Sequence, residues 1–553
     1  MKLLLDNKAD VNATTYEDGT TALFAASLNG HIEVVKILLA NSANVNASIS
    51  EKGFNPLFSA SLEGHAEVVK LLLDNRADVN ALSGRDNCTA LVAASLMGYA
   101  EIVKLLLDYK AEVNAISDKD GSTCAYAVSC DGQAENLSLD NKADVSVSDV
   151  DDSATALDAA SRTGNAEIVK LLLDNNADVN ARNHKDGSTP LFIASLRGYT
   201  EVVKLLLDNN AEVNARNHKG STPLFNASLR GHTEVVKLLL DNNAEVNVRI
   251  NTDGSTPLTR ASWNGHAEVV KLLLENNADV NAIRHADGST PLFSASWHGH
   301  VEAVKLLLAN NANVNASRHE DGNTPLCTAS WQGHADVVKI LLDNKADVNA
   351  RLKDGTSSTP LSIASWQGHV DVVKILLDNK ADVNTRRKDG STPLSTASWG
   401  GHVDVVKVLL DNRAEVNTRR EDGSTPLHSA SWQGHADVVK VLLDNRAEVN
   451  TRRKDGSTPL YSASLNGYAE IVKLLLDKKA NPNVPIYKDG STPLYSASWN
   501  GRADVVKLLL DHDADVNIRC YYGKKPIDAA RQNRHLDIES MLLAKTSSSQ
   551  ART

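Results

Sequence analysis

The chain has 553 residues, 42% of them hydrophobic, 23% charged and only 4% aromatic, with a formal net charge of −11. The acidic balance argues against wholesale nucleic-acid binding, and no apolar run is long enough to span a bilayer, so no direct membrane insertion is expected. Five cysteines (Cys88, Cys124, Cys130, Cys327 and Cys520), an odd number without metal-ligand spacing, point to a reducing compartment.

Length alone suggests about three or four domains. A fixed period overrides that expectation. Thr-Pro prolines fall at Pro190, Pro223, Pro257, Pro291, Pro325, Pro360, Pro393, Pro426, Pro459 and Pro493, in steps of 33 to 35 residues. Such a period means a stacked array in which each unit touches only its neighbours. Neighbouring helices pack about 8–10 Å apart, so the stack is expected to be on the order of 150 Å long.

In chain order, residues 1–13 read as a half repeat, because Lys2 to Asn7 matches a second helix without its first. Residues 14–121 carry full repeats. Residues 122–150 form a degenerate repeat, in which the five residues Asn136 to Asp140 replace a seven-residue Val-Val-Lys-Leu-Leu-Leu-Asp run. About three large apolar side chains are lost, a local cost of about 5–9 kcal/mol. The segment reads either as a hinge or as a decayed repeat held by its neighbours. Residues 151–522 resume the repeats. The unit at 188–214 is representative. Thr189 is placed to cap a first helix with Pro190 at its first position, and Gly198 ends it. Leu191, Ala194 and Ser195 give it a narrow apolar face. Thr200 and Glu201 open a second helix with Val202, Val203, Leu206 and Leu207 inward and Lys204 outward. An extended run, Asn209 to Asn214, and an Asp-Gly turn complete a hairpin. Residues 523–545 are a capping repeat with a polar outer face, and 546–553 a polar tail expected to be disordered.

Asp-Gly-Ser-Thr-Pro-Leu, Ala-Ser-x-x-Gly-His, Val-Val-Lys-Leu-Leu-Leu and Ala-Asp-Val-Asn-Ala recur over essentially the whole chain. This pattern resembles the ankyrin repeat, in about sixteen units. The resemblance implies an all-α solenoid of stacked helix-turn-helix units with a β-hairpin loop. It also implies a family that binds other proteins through hairpin tips and the groove side of its first helices. Two departures stand out. The Thr-Pro-Leu-His histidine survives only at His428, and the usual glycine after the second helix is replaced by Asn210, Asn243, Lys345, Lys380, Arg413 or Arg446. If that site is left-handed, a basic residue there costs about 1–2 kcal/mol, which would loosen the later repeats.

All seven tryptophans (Trp263, Trp297, Trp331, Trp366, Trp399, Trp432 and Trp499) occupy one repeat position, in Ala-Ser-Trp-x-Gly. Upstream that position is Leu28, Leu62, Leu96, Leu196 and Leu229. By the resemblance it is a variable position on the groove side. The tryptophans read as a binding ladder, or as packing over small residues such as Ser294 one turn earlier. A second series is basic: Arg386, Arg387, Arg419, Arg420, Arg452 and Arg453 recur before the hairpin turn, beside Asp389, Glu421, Asp422 and Asp455. It reads as a surface for an acidic protein partner or as a self-neutralised loop edge. Histidine after glycine recurs at nine places and is replaced by Tyr99, Tyr199 and Tyr468, so contacts between units explain it better than metal binding.

The sequence therefore predicts a non-enzymatic protein–protein interaction scaffold with no catalytic residues, metal or cofactor. It is expected to be monomeric and cytoplasmic or nuclear, with protein partners. The alternative is the recognition region of a larger protein, such as a kinase, ubiquitin-ligase adaptor or channel, whose effector domain lies upstream of Met1.

Overall fold

A computed structural model describes residues 1–16, 19–49, 53–83, 88–116 and 155–550, with only the backbone described for 548–550. The chain divides into two compact units, Met1–Arg284 and His285–Thr553. Each is a stack of antiparallel helix pairs in which every first helix packs on the first helix of the next repeat.

The local reason is the same in both units. Thr189 is extended and its hydroxyl accepts the amide of Phe192 at 3.3 Å, opening the helix Pro190–Arg197. Gly198 closes it at φ 82°, a left-handed conformation that suits glycine. Pro190 to Ser195 are all buried, because this helix is sandwiched on several sides. The second helix, Thr200–Asp208, buries Val202, Val203 and Leu206; Leu207 is only half-buried. In the later unit Thr392 and the helix Pro393–Gly400 repeat the arrangement, with Gly401 at φ 76°.

The hairpin expectation is corrected. Among the described residues the connecting segments form successive turns, bridged only at the isolated pairs Thr14–Thr21 and Ser83–Cys88. The backbone polar groups go sideways instead. The amides of Glu421 and Lys454 donate to the carbonyls of Asp389 and Asp422 in the preceding loop, at 3.0 and 2.9 Å. Within each unit, Val-Asn asparagines also accept a backbone amide from the next repeat. Asn46 takes Asp78 at 2.8 Å and Asn180 takes Glu212 at 2.7 Å in the first unit. Asn384 takes Glu415 at 2.9 Å in the second.

That ladder shows what happens around the degenerate repeat. Residues 122–150, and the hinge expected there, lie outside the described residues. The pairs flanking them pack directly on one another, Ala90–Met97 against Ala156–Thr163 and Ala100–Asp108 against Ala166–Asp174. Asn114 accepts the amide of Asp178 at 2.7 Å, a bond that spans 64 residues where its counterparts span about half as many.

At the start of the chain, the helix Lys2–Asp6 buries nothing, and Leu3 and Leu4 are exposed. At its end, the expected tail is partly ordered. The last helix runs Leu536–Gln550, and Thr546 and Ser547 continue it by donating hydroxyls to the carbonyls of Leu542 and Leu543. Among the cysteines, read from sequence as pointing to a reducing compartment, Cys327 and Cys520 are buried and free, whereas Cys88 is disulfide-bonded. Among the described residues no helix is long and apolar enough to cross a membrane.

Candidate protein-binding face

The tryptophans sit in the last turn of each first helix, one residue past a fully buried serine. The backbone there is pinned from the next repeat. His369, His402 and His435 place Nε2 at 3.0, 2.9 and 3.0 Å from the carbonyls of Trp331, Trp366 and Trp399. In the first unit His232 and His266 do the same for Leu196 and Leu229, both at 3.1 Å. This settles the recurring histidine as a contact between successive repeats. It also fixes where each indole starts without constraining where it ends.

The indoles project outward. Trp331, Trp366, Trp432 and Trp499 are 46, 43, 39 and 38% exposed, and Trp263, Trp297 and Trp399 are half-buried. Some find partial cover. Trp297 lies 6.3 Å from the Phe293 ring, Trp499 stacks on Tyr495 at 6.3 Å, and the Arg284 guanidinium sits 5.8 Å over Trp263.

The doubled arginines divide into two jobs. The first of each pair runs along the loop edge. Arg386 donates to the carbonyl of Arg419 at 3.2 Å, Arg419 to that of Arg452 at 3.1 Å, and Arg452 reaches Tyr487, with its guanidinium 5.5 Å over that ring. Sequence reasoning missed that Arg351, Arg182 and Arg249 hold the same repeat position and make the same bond, to Arg386, Arg216 and Ile283. Spacing from the Val-Asn asparagine was the signal that would have found them.

The second of each pair turns toward the tryptophans. Trp366, Trp399, Arg387, Arg420, Asp389, Ser391, Ser395 and Thr396 enclose an open concavity of about 270 Å³. One repeat on, Trp399 and Trp432 flank another of about 300 Å³ with Arg420, Arg453, Asp422 and His428. The two series that looked separate in sequence thus share one face. Arg420 is ion-paired with Asp389, and Arg453 with Asp422 at 2.6 Å. Burial pushes the Asp422 carboxyl up, but the hydroxyl and amide of Ser424 and the Arg453 guanidinium outweigh it and hold it at about 2. His428 is buried. Its Nδ1 accepts the Thr425 amide at 3.2 Å, and burial lowers its pKa to about 4 against the pull of its bond to the Ser457 carbonyl.

Among the described residues no three metal-binding side chains cluster. Stacked helix pairs presenting one column of side chains are the architecture of a repeat-built recognition protein. The chain belongs to the ankyrin-repeat family: the model of ankyrin repeats in three copies matches residues 1–83, 50–117, 124–217, 212–284, 282–352, 350–420, 412–486 and 485–552. Ankyrin repeats are generally protein–protein interaction modules and typically not enzymes. Among curated proteins, none is similar enough to the chain to count as a relative.

Proposed function

We propose that this chain is a non-enzymatic scaffold that binds a partner protein through the tryptophan- and arginine-lined face of residues 360–466. The observation that carries this reading is the pair of consecutive concavities walled by Trp366, Trp399 and Trp432. Exposed aromatics beside arginine are the side chains that most often anchor protein interfaces. Each concavity has about the volume of the smallest ligand pockets but is open, so it suits one or two side chains of a longer segment. The bonded loop edge, with Arg386, Arg419 and Arg452 held to neighbouring carbonyls, keeps the two concavities in register.

The test is capture of proteins from a cell lysate by the full chain and by a variant with Trp366, Trp399 and Trp432 changed to leucine. Leucine stands at this position in Leu196, Leu229 and Leu465, so the frame tolerates it. Partners retained by the native chain alone support the reading. Equal capture by both moves binding away from this face.

A further inference from the structure

The three inward arginines of the face are not equivalent. Arg420 and Arg453 each meet a carboxylate of the preceding loop, Asp389 and Asp422. Arg387 has no such partner. The loop before it is two residues longer between its asparagine and its proline, Asn349 to Pro360 against Asn384 to Pro393. In that longer loop Asp354 is exposed and is engaged by the amide and hydroxyl of Thr356, at 2.8 and 2.6 Å. Three guanidiniums therefore face two carboxylates across the consecutive concavities, and the pairing leaves Arg387 over. It lies half-buried in the concavity between Trp366 and Trp399; its Nε is buried and without a hydrogen-bond partner, as are those of Arg420 and Arg453, so what sets it apart is the missing carboxylate. Asp389 lines the same concavity but is already held by Arg420 and Ser391.

We infer that this concavity takes a carboxylate side chain, Asp or Glu, of an otherwise apolar stretch of the partner protein, with Arg387 as its counter-ion and the two indoles against its flanking residues. The inference rests on the binding face proposed above and adds its specificity. A guanidinium paired with a carboxylate between aromatic walls is worth more than the same pair in open water, because the walls exclude solvent. The other two concavity arginines discriminate less, since their charge is already balanced.

The probe is a random-peptide display library, selected on the full chain at moderate ionic strength. The expected result is a set of peptides whose capture needs Trp366 and Trp399 and that share one acidic position. Replacing that acid by its amide weakens binding about tenfold to native chain and changes nothing with Arg387→Gln. A second variant, Asp389→Asn, releases Arg420 while keeping an oxygen for the Ser391 amide, and is expected to tighten binding of the acidic peptides. Peptides that need both tryptophans but show no acidic position, or whose acid preference survives Arg387→Gln, overturn the inference and leave the binding face standing. Selection of no tryptophan-dependent peptide overturns both.

Discussion

Residues 180–250 and 325–466 are built on one frame and present different chemistry. Threonine hydroxyls cap the first helices identically, Thr189 onto Phe192 and Thr392 onto Ser395, both at 3.3 Å. His232 and His435 clamp the preceding helix end, and Asn180 and Asn384 bridge to the next repeat. What changes is the last-turn residue, Leu196 and Leu229 against Trp399 and Trp432, and the third residue after the asparagine. In the earlier region that residue is Asn183, which is used up within its own turn by the amides of Asp186 and Gly187. In the later region Arg420 and Arg453 stand there, long enough to reach the preceding loop, and so does Arg387, whose preceding loop offers it no carboxylate. Frame bonds run through backbone and short polar side chains, so two positions per repeat are left free to set the surface.

The third residue after the cap breaks the comparison most strongly. It is Phe192 and Phe225 in the earlier region, whereas the later one carries His428 there. The folded state holds His428 neutral, with a pKa of about 4 against 6.5 for the free side chain. Its contribution is therefore complete above about pH 6.5 and is lost as pH falls toward 4, where the unfolded chain binds the extra proton. The loss amounts to about 3 kcal/mol. Native-state hydrogen exchange of Pro426–Gln433 should show that loss and Pro190–Arg197 should not. His428→Phe should make the two regions alike. A flat profile for His428 sinks the assignment.

Glycines at the first-helix ends should instead fail equally in both regions. A Cβ on Gly198 would lie 2.6 Å from His232 Nδ1, and one on Gly333 2.6 Å from His369 Nδ1, with φ at 82° and 80°. Gly198→Ala and Gly333→Ala are each expected to cost at least about 2 kcal/mol of local stability. A clear difference between them, read from urea-dependent exchange, would mean that the frames are not shared.

These particulars show what was legible in the chain. The caps, the glycine ends and the histidine contact follow from local geometry and recur with the period, so one repeat predicts them all. The absence of paired strands was not legible, because Asn209 to Asn214 has the composition of an extended run; the Glu212 amide is instead claimed by Asn180 of the preceding repeat and the Asn214 side chain by the next, which no single repeat reveals. The arginine edge escaped for the same reason: its acceptor is a carbonyl about one period away. The convergence of tryptophan and arginine escaped because it depends on where side chains point, not on their spacing.

A buried column should respond with the opposite sign. Ser195 and Ser330 are fully buried, and their hydroxyls find no hydrogen-bond partner. Ser195→Ala and Ser330→Ala remove a desolvated hydroxyl and keep the narrow contact between first helices. Each is expected to stabilise its repeat by about 1 kcal/mol, measured as slower exchange in the same helix. Destabilisation would mean that the hydroxyl is satisfied.

The smallest effect concerns the residue after the second helix, where the later repeats looked the looser ones. That site is left-handed throughout: Asn210 and Asn243 at φ 63° and 62°, Lys345, Lys380, Arg413 and Arg446 at 66° to 67°. Arg76 and Lys110 adopt the same φ, at 66° and 67°, so the basic choice is not confined to the tryptophan-bearing repeats. Asparagine tolerates the conformation because its short amide bonds locally, whereas arginine pays the full Cβ clash with the following carbonyl. A cation at a helix C-terminus recovers a few tenths of a kcal/mol. Arg413→Gly is therefore expected to gain about 0.5–1 kcal/mol and Asn210→Gly almost nothing. Exchange in Val403–Asp411 and Thr200–Asp208 reads the two gains separately. Equal gains would show that the two regions carry the same strain, leaving surface chemistry as the whole of their difference.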